Sequence, residues 1–407
     1  MKALRFNVTV PKFIAAKGVA SIFGRRVYYQ GPLKTIKIAD IPEPALPTKD
    51  WVKIKTIYCG FCGSDLNLIQ LHDSPTASPF TSFPCVIGHE IVGKIIETGS
   101  GVNGFKSGDI VAINPVLACE TRDISPLCPA CGLGRSSNCE NFAEGNLPPG
   151  MFTGINSEIN GGFAPYVVAH KTQLFRVPKE LSLESAVMTE PLAVALQAIF
   201  DNMPNEGEKV LVIGGGVIGN LIVQSIRALV PGCNISLIEP SSFAAEFTMK
   251  SGADQILSSK DVFQETAGIT GATVYKPMLG MKVAMGGFNR IYDTVGHSST
   301  LNLGMRLMAA LGTLSVVGIG GDVKLDLTPL WLKLQKIQGV YSYGMVTYGG
   351  KKRHVFDIAL EMMRCDGIQT DILVTHKFDI TEYRRMIEIN MNKEKYRAVK
   401  TVMVFNE

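Results

Sequence analysis

Residues 209–219 read KVLVIGGGVIG, and they decide how the rest of the chain is organised. An aliphatic run of strand length stops at three consecutive glycines, and VIGNLIVQSIRALV (217–230) continues with the apolar spacing of a helix. Gly214, Gly216 and Gly219 thereby take a G-x-G-x-x-G spacing between strand and helix, with Val217 and Ile218 inside it. In that context Gly214 permits a tight turn, Gly216 lets a pyrophosphate approach the backbone, and Gly219 lets the helix pack close to the strand, with the phosphates at the helix N-terminus. NISLIEP (234–240) and FAAEFTMKSGA (243–253) supply the next strand and helix, completing a βαβ unit. Glu239 ends that second strand 20 residues after Gly219, where a carboxylate accepts hydrogen bonds from an adenosine ribose and repels a 2′-phosphate. Residues 240–245 hold no Arg or Lys, so the pattern favours NAD(H) over NADP(H).

Toward the C-terminus, strands are expected at 290–295 and 312–318, separated by the helical run STLNLGMRLMAAL, as in a parallel sheet. Val295 and Gly318 close those strands and are further candidate nucleotide contacts. ITGATVYKPMLGMKVAMGG reads as an inserted loop or hairpin. From about Tyr348, two amphipathic helices flank DILVTHKF, KTVMVF is the last strand-like run, and Lys351–His354 reads as a solvated helix start. Toward the N-terminus, the first 180 residues are short apolar runs punctuated by Gly and Pro, the texture of an irregular β domain. The expected fold class is therefore α/β plus β, with domains over 1–190, 191–345 and 346–407, the last returning to the first.

Seven of nine cysteines lie between Cys59 and Cys139; Cys233 and Cys365 stand apart and read as small buried hydrophobes. Cys119, Cys128, Cys131 and Cys139 fall within 21 residues, a spacing suited to a tetrahedral structural zinc in a lobe at about 115–142. The gap after Cys119 is longer than in a typical knuckle. Cys62 in CGFCGSDL, His89 and Glu90 in GHE, and Glu190 in TEPLAVA offer a thiolate, an imidazole and carboxylates, a set suited to a zinc ion that keeps one position open.

CGFCGSDL, GHEIVGKIIETGSGVNGFKSGDIVAINP, the cysteine lobe, GGFAPYVVAH, EPLAVA and VLVIGGGVIG occur in the order found in zinc-dependent medium-chain alcohol dehydrogenases, and the chain resembles that family, closest to its polyol and threonine dehydrogenase branch. The resemblance implies a GroES-like catalytic domain, a Rossmann domain, one catalytic and one structural zinc, and NAD-linked hydride exchange between an alcohol and its carbonyl. It implies that Cys62 and His89 are zinc ligands, and that Glu90 and Glu190 share the remaining protein position, one binding the metal while the other holds its water. It implies that Ser64 takes the substrate proton. The family often carries a histidine three residues later; here Asn67 stands there, and His72 or a water chain would complete the relay. Phe152 and the stretch Trp331–Gly344 lie where the family lines its substrate pocket. Two rival functions are a zinc-free reductase of conjugated enones and a non-catalytic nucleotide-binding relative.

The 407 residues are 46% hydrophobic, with 40 Lys+Arg against 36 Asp+Glu, so the net +4 offers no field for nucleic acid. The most apolar stretch is broken by glycines and Asn220, and Pro11, Lys12 and Lys17 interrupt the N-terminal run, so neither a span nor a signal peptide is expected. The expected partners are a small alcohol or carbonyl and further copies of the chain, as a homodimer or homotetramer, with no nucleic acid and no membrane, in the cytoplasm.

Overall fold

The computed structural model describes residues 1–258, 260–318, 321–365 and 367–405. The chain divides into two compact units, one of Pro191–Ser342 with Cys365–Gln369, the other of Met1–Glu190, Tyr343–Arg364 and Thr370–Glu407.

In the first of these, a six-stranded sheet runs Gln255–Ile256, Asn234–Ile238, Lys209–Ile213, Phe288–Asp293, Met308–Val316, Lys336–Gly339 across the described residues. Every neighbouring pair is parallel. Numbered along the chain, that order is 3-2-1-4-5-6, and the order reverses at Lys209–Ile213. Val210–Ile213 are fully buried because the strand has a neighbour on each side and both its faces are covered, which is why its sequence is a continuous apolar run. Thr273–Tyr275 and Val283–Met285 pair antiparallel, so the inserted segment is a hairpin. The run STLNLGMRLMAAL is helical only over Ser298–Leu307; Met308 already pairs with Phe288. Lys333 explains the stop, for its buried ammonium donates to the carbonyls of Ala284, Arg306 and Met308 and so takes up backbone acceptors that the ended helix leaves free.

In the other unit, Val374–Phe378, Lys400–Val404, Trp51–Phe61, Glu90–Thr98, Ile110–Ile113 and Leu174–Arg176 neighbour one another in that order, and Tyr166–His170 also pairs with Trp51–Phe61. Ile36–Asp40, Lys2–Phe6 and Cys85–Val86 form a small separate sheet. The helices Val355–Arg364 and Tyr383–Met391 follow their apolar periodicity. Three features depart from the sequence reading. Val10–Phe23 is a helix with Pro11 in its first turn, where the missing N–H costs nothing, and Phe13, Ala16 and Ala20 pack it onto the core. Lys351–His354 is a strand paired with Met345–Tyr348, because the turn Gly349–Gly350 folds it back. Cys365 is exposed, whereas Cys233 is buried.

His354 sits among Phe175, Tyr343 and Phe356, its ring 4.8 Å from that of Phe175, and burial pushes its pKa down from 6.5 to about 4. Above pH ~6.5 the ring is neutral folded or unfolded. Between there and pH ~4 the unfolded chain takes up a proton that the folded chain refuses, which costs up to about 3 kcal/mol. Chemical denaturation should therefore show His354→Phe losing less stability than the parent between neutral and acid pH. Equal losses would refute a neutral buried ring.

Candidate metal centres and active site

Trp51–Phe61 lies between Glu90–Thr98 and Lys400–Val404, antiparallel to both, and near its end Gly60 faces Glu90 on one side and Val402 on the other. A Cβ at Gly60 would meet Glu90 Oε2 at 1.8 Å and Lys400 Cε at 2.9 Å. The bare glycine makes room for an ion pair between Glu90 and Lys400, both almost fully buried. Burial alone would lower the lysine's pKa; Glu90 and Cys62 beside it raise it instead. The ammonium of Lys393 lies in the same field, its pKa lowered to about 8 by burial and by Lys400, and donates to Val399 O at 2.9 Å.

One residue past that strand, Cys62 is the N-cap of the helix Gly63–Ile69, and its N–H donates to Asp65 Oδ2 at 2.9 Å. The other carboxylate oxygen of Asp65 lies 3.6 Å from His89 Nδ1. One buried aspartate thus holds the helix start and orients the imidazole, the arrangement that sets the tautomer and basicity of a ligating histidine. The ligand atoms of Cys62, His89 and Glu90 lie within 4.8 Å of one another. Burial opposes protonation of His89, but Asp65 and Cys62 outweigh it and raise its pKa well above 6.5. Phe152 packs edge-on against the same ring at 5.1 Å. Glu190, in the first turn of Thr189–Asp201, is buried, and burial lifts its pKa to about 7 against the pull of His89, with Glu90 adding to the rise. Its carboxylate is not in the close trio but shares its field.

A divalent cation fits this set. With Asp65 on one ring nitrogen of His89, the set offers one thiol, one imidazole and one carboxylate whose ligand atoms converge at a largely buried point, the donor chemistry of a site that holds a zinc ion with one position open. Ser64 is half-buried two residues after Cys62, in the first turn of the helix, and Asn67 lies one turn further. His72 lies past the end of that helix, exposed, its N–H bonded to Asn67 O and its pKa lowered by burial, Lys17 and Arg25. Tyr343 is buried beside Glu190, whereas Trp331 is exposed in the other unit.

The cysteine lobe gathers all four thiols: Cys119, Cys128, Cys131 and Cys139 lie within 4.8 Å of one another, and none is in a disulfide. Backbone N–H groups of Cys128, Glu140 and Asn141 and the Asn141 amide point at three of the sulfurs at 3.3–3.5 Å. For Cys128, burial raises the pKa but the N–H donors bring it down to about 7, whereas burial holds Cys139 up at about 11 and Cys131 higher still. Four such thiols cannot all ionise without a cation among them, so this donor set also fits zinc. Arg122, fully buried, ties the lobe together: its five N–H groups donate to the carbonyls of Leu117, Glu144, Leu147, Pro148 and Gly150 at 2.7–3.0 Å.

In the parallel-sheet unit the glycine turn has the shape its spacing requires. Gly214 has φ +98°, a Cβ at Gly219 would strike Gly214 O at 1.8 Å, and a Cβ at Gly216 would meet nothing within 4 Å. Val217 and Ile218 open the helix Val217–Leu229. Glu239 accepts from the N–H groups of Gly215 at 2.6 Å and Ser241 at 2.7 Å, which fixes its carboxylate at the turn. Gly318 packs on the backbone of Val295, and buried Asp293 receives the N–H groups of Val295 and Gly296 through Oδ1.

Sequence reading missed Gly60, Lys400, Lys393, Arg122 and Asp293. Gly60 lies inside CGFCGSDL, Arg122 inside the cysteine lobe, Asp293 in the strand run at 290–295 and Lys400 at the start of KTVMVF, yet nothing in those strings marks what these residues meet.

The alcohol dehydrogenase GroES-like domain family matches residues 48–179, and the zinc-binding dehydrogenase family matches residues 217–363. The chain is 28% identical to L-idonate 5-dehydrogenase of Vitis vinifera over 86% of each chain. It is 26% identical to sorbitol dehydrogenase of Bacillus subtilis over 87% of this chain and 90% of the relative. The solved 2R,3R-butanediol dehydrogenase of Bacillus subtilis superposes at a TM-score of 0.71 and 25% identity, covering 91% of this chain and 96% of its own. With both of its domains matched in order, the chain belongs to the zinc-dependent medium-chain alcohol dehydrogenase family and is an oxidoreductase.

Proposed function

We propose that the chain is an NAD-dependent dehydrogenase of a polyol or related secondary alcohol, reversible toward the ketone. The observation that carries this reading is the convergence of Cys62, His89 and Glu90 at the start of the helix that presents Ser64. The relatives' names, idonate, sorbitol and butanediol, all denote compounds with more than one hydroxyl, and support that substrate class. When bound, zinc supplies a Lewis acid that makes the alcohol proton easier to remove, and the nicotinamide accepts the hydride. Cys62, His89 and Glu90 hold the ion, with Lys400 fixing the position of Glu90. Glu190, buried in the same field, would hold water or the entering hydroxyl by hydrogen bond. Asp65 keeps the His89 ring turned to the metal, and Phe152 walls it. Ser64 Oγ receives the hydroxyl proton and passes it to solvent through water rather than through Asn67, whose amide does not titrate. Cys119, Cys128, Cys131 and Cys139 hold a second zinc that stabilises the lobe. The enzyme works in the cytoplasm, where nine unpaired cysteines stay reduced, and as a homodimer or homotetramer.

Metal analysis joined to an NAD-linked screen of polyols, secondary alcohols, hydroxy amino acids and an enone tests this. Two zinc ions per chain and turnover of a polyol are expected; faster reduction of the enone, or turnover undiminished after the metal is removed, would refute it.

Glu239 also supports NAD(H), because its anchored carboxylate would oppose a 2′-phosphate. Glu239→Ser should lower the ratio of kcat/KM for NAD+ over that for NADP+ by roughly 10²-fold, chiefly through KM. A ratio unmoved by the change would assign cofactor choice elsewhere.

A further inference from the structure

The net positive charge of this protein is concentrated at one end. Eight Lys or Arg and no Asp or Glu precede Asp40, so with +4 overall the other residues sum to −4. That basic segment carries the helix Val10–Phe23, which is apolar on two sides. Phe13, Ala16 and Ala20 face the core. Val10, Ile14 and Ile22, at spacings of four and eight, run along the outside and are 74%, 65% and 77% exposed, and Phe23 at the helix end is 74% exposed. A row of large apolar side chains standing in water marks a contact surface. Around it, Lys12 and Lys17 are half-buried beside the exposed row, and the exposed Arg25 and Arg26 follow Phe23. Lys34 and Lys37 lie close enough to Lys12 to add to the lowering of its pKa by burial. The charge facing the segment from a packed neighbour is Glu388, 3.6 Å from Arg26.

We propose that this helix lies on an anionic lipid bilayer, with Val10, Ile14, Ile22 and Phe23 sunk into the headgroup boundary and the surrounding cations against the lipid phosphates. The helix is 14 residues long, and among the described residues no helix is long and apolar enough to cross a membrane, so the contact is in the plane of the interface. A second copy of the chain is the poorer occupant of the same face, since a two-fold contact would bring two such acid-free segments together. Nucleic acid would use the charge but leave the aliphatic row unexplained. The sequence reading expected no membrane partner because net charge and span length average over the chain; the exposed row and the one-sided charge are local.

Sedimentation of the full-length chain with phosphatidylcholine vesicles, with and without about one third phosphatidylserine, tests the proposal. Binding to the anionic vesicles, weakened by salt, is expected, with a fall of at least ~10-fold for Ile14→Ser/Ile22→Ser/Phe23→Ser and also for Arg25→Glu. These side chains lie in solvent and outside the metal sites, so dehydrogenase activity in the absence of vesicles should be unchanged. No enrichment on anionic over neutral vesicles would overturn the proposal. So would binding that the triple variant retains, which is surface charge alone, or a drop in oligomer mass for that variant, which assigns the face to a second copy.

Discussion

Cys62→Ser is expected to slow alcohol oxidation by 10⁴-fold or more, while Ser64→Ala slows it by about 10². The two positions are adjacent but one in the same helix turn, and the physical roles differ. In the proposed site a zinc ion would stabilise the developing oxygen charge by several kcal/mol, at tenfold per ~1.4 kcal/mol, and loss of the thiolate would remove one of the three side chains proposed to hold it. A single proton acceptor contributes less, and water replaces part of it. Cys62→Ser is a clean probe because serine is a favoured N-cap and the bond from the residue 62 N–H to Asp65 is made by the backbone. The helix therefore persists while the metal site is lost. Circular dichroism, zinc content and single-turnover hydride transfer together decide the point. A Cys62→Ser chain that is folded, lacks the catalytic zinc and still turns over within tenfold of the parent sinks the metal-dependent reading. Ser64→Ala carries its own signature: the pH profile of kcat should change shape, with KM nearly unmoved, since the hydroxyl acts on the proton and not on substrate affinity.

What could be read in advance follows from where each signal is stored. Gly214, Gly216 and Gly219 belong to one turn, so spacing alone carries their meaning, and the same holds for Cys62 with Ser64 and Asp65. The carboxylates Glu90 and Glu190 are 100 positions apart, and what sets Glu90 apart is Lys400, a further 210 positions on, which pairs with it across a bare Gly60. No local pattern encodes that crossing, because it arises from the order of three strands. Val10–Phe23 escaped for the opposite reason: a helix apolar on both faces has no periodicity to detect. Lys351–His354 has the composition of a solvated helix start and becomes a strand only because Met345–Tyr348 is there to pair with it.

Arg122→Lys should lower the thermal midpoint by about 10 °C and expose the lobe thiols to modification, although lysine keeps the charge. Arg122 spends all five donors on carbonyls that belong to the chain segments 117–150, the same segments that hold the four cysteines in place. A lysine ammonium has three donors and no planar fork, so at least two of the five acceptors lose their partner while buried, and the remaining bonds are bent. Unpaired buried groups cost about 1–3 kcal/mol each, which puts the loss at about 3–5 kcal/mol, close to that of breaking a buried charged pair. The lobe has little apolar packing of its own to offset this, so the loss falls on the metal site: zinc should leave to a chelator at least tenfold faster, with one zinc per chain lost first. The zinc proposed at Cys62, His89 and Glu90 should stay, and the initial rate with alcohol should remain within about threefold of the parent before heating. If Arg122→Lys keeps its midpoint within 2 °C, or if both zinc ions leave together, the arginine is not the strut of the lobe, and its five bonds are a consequence of zinc binding rather than a support for it.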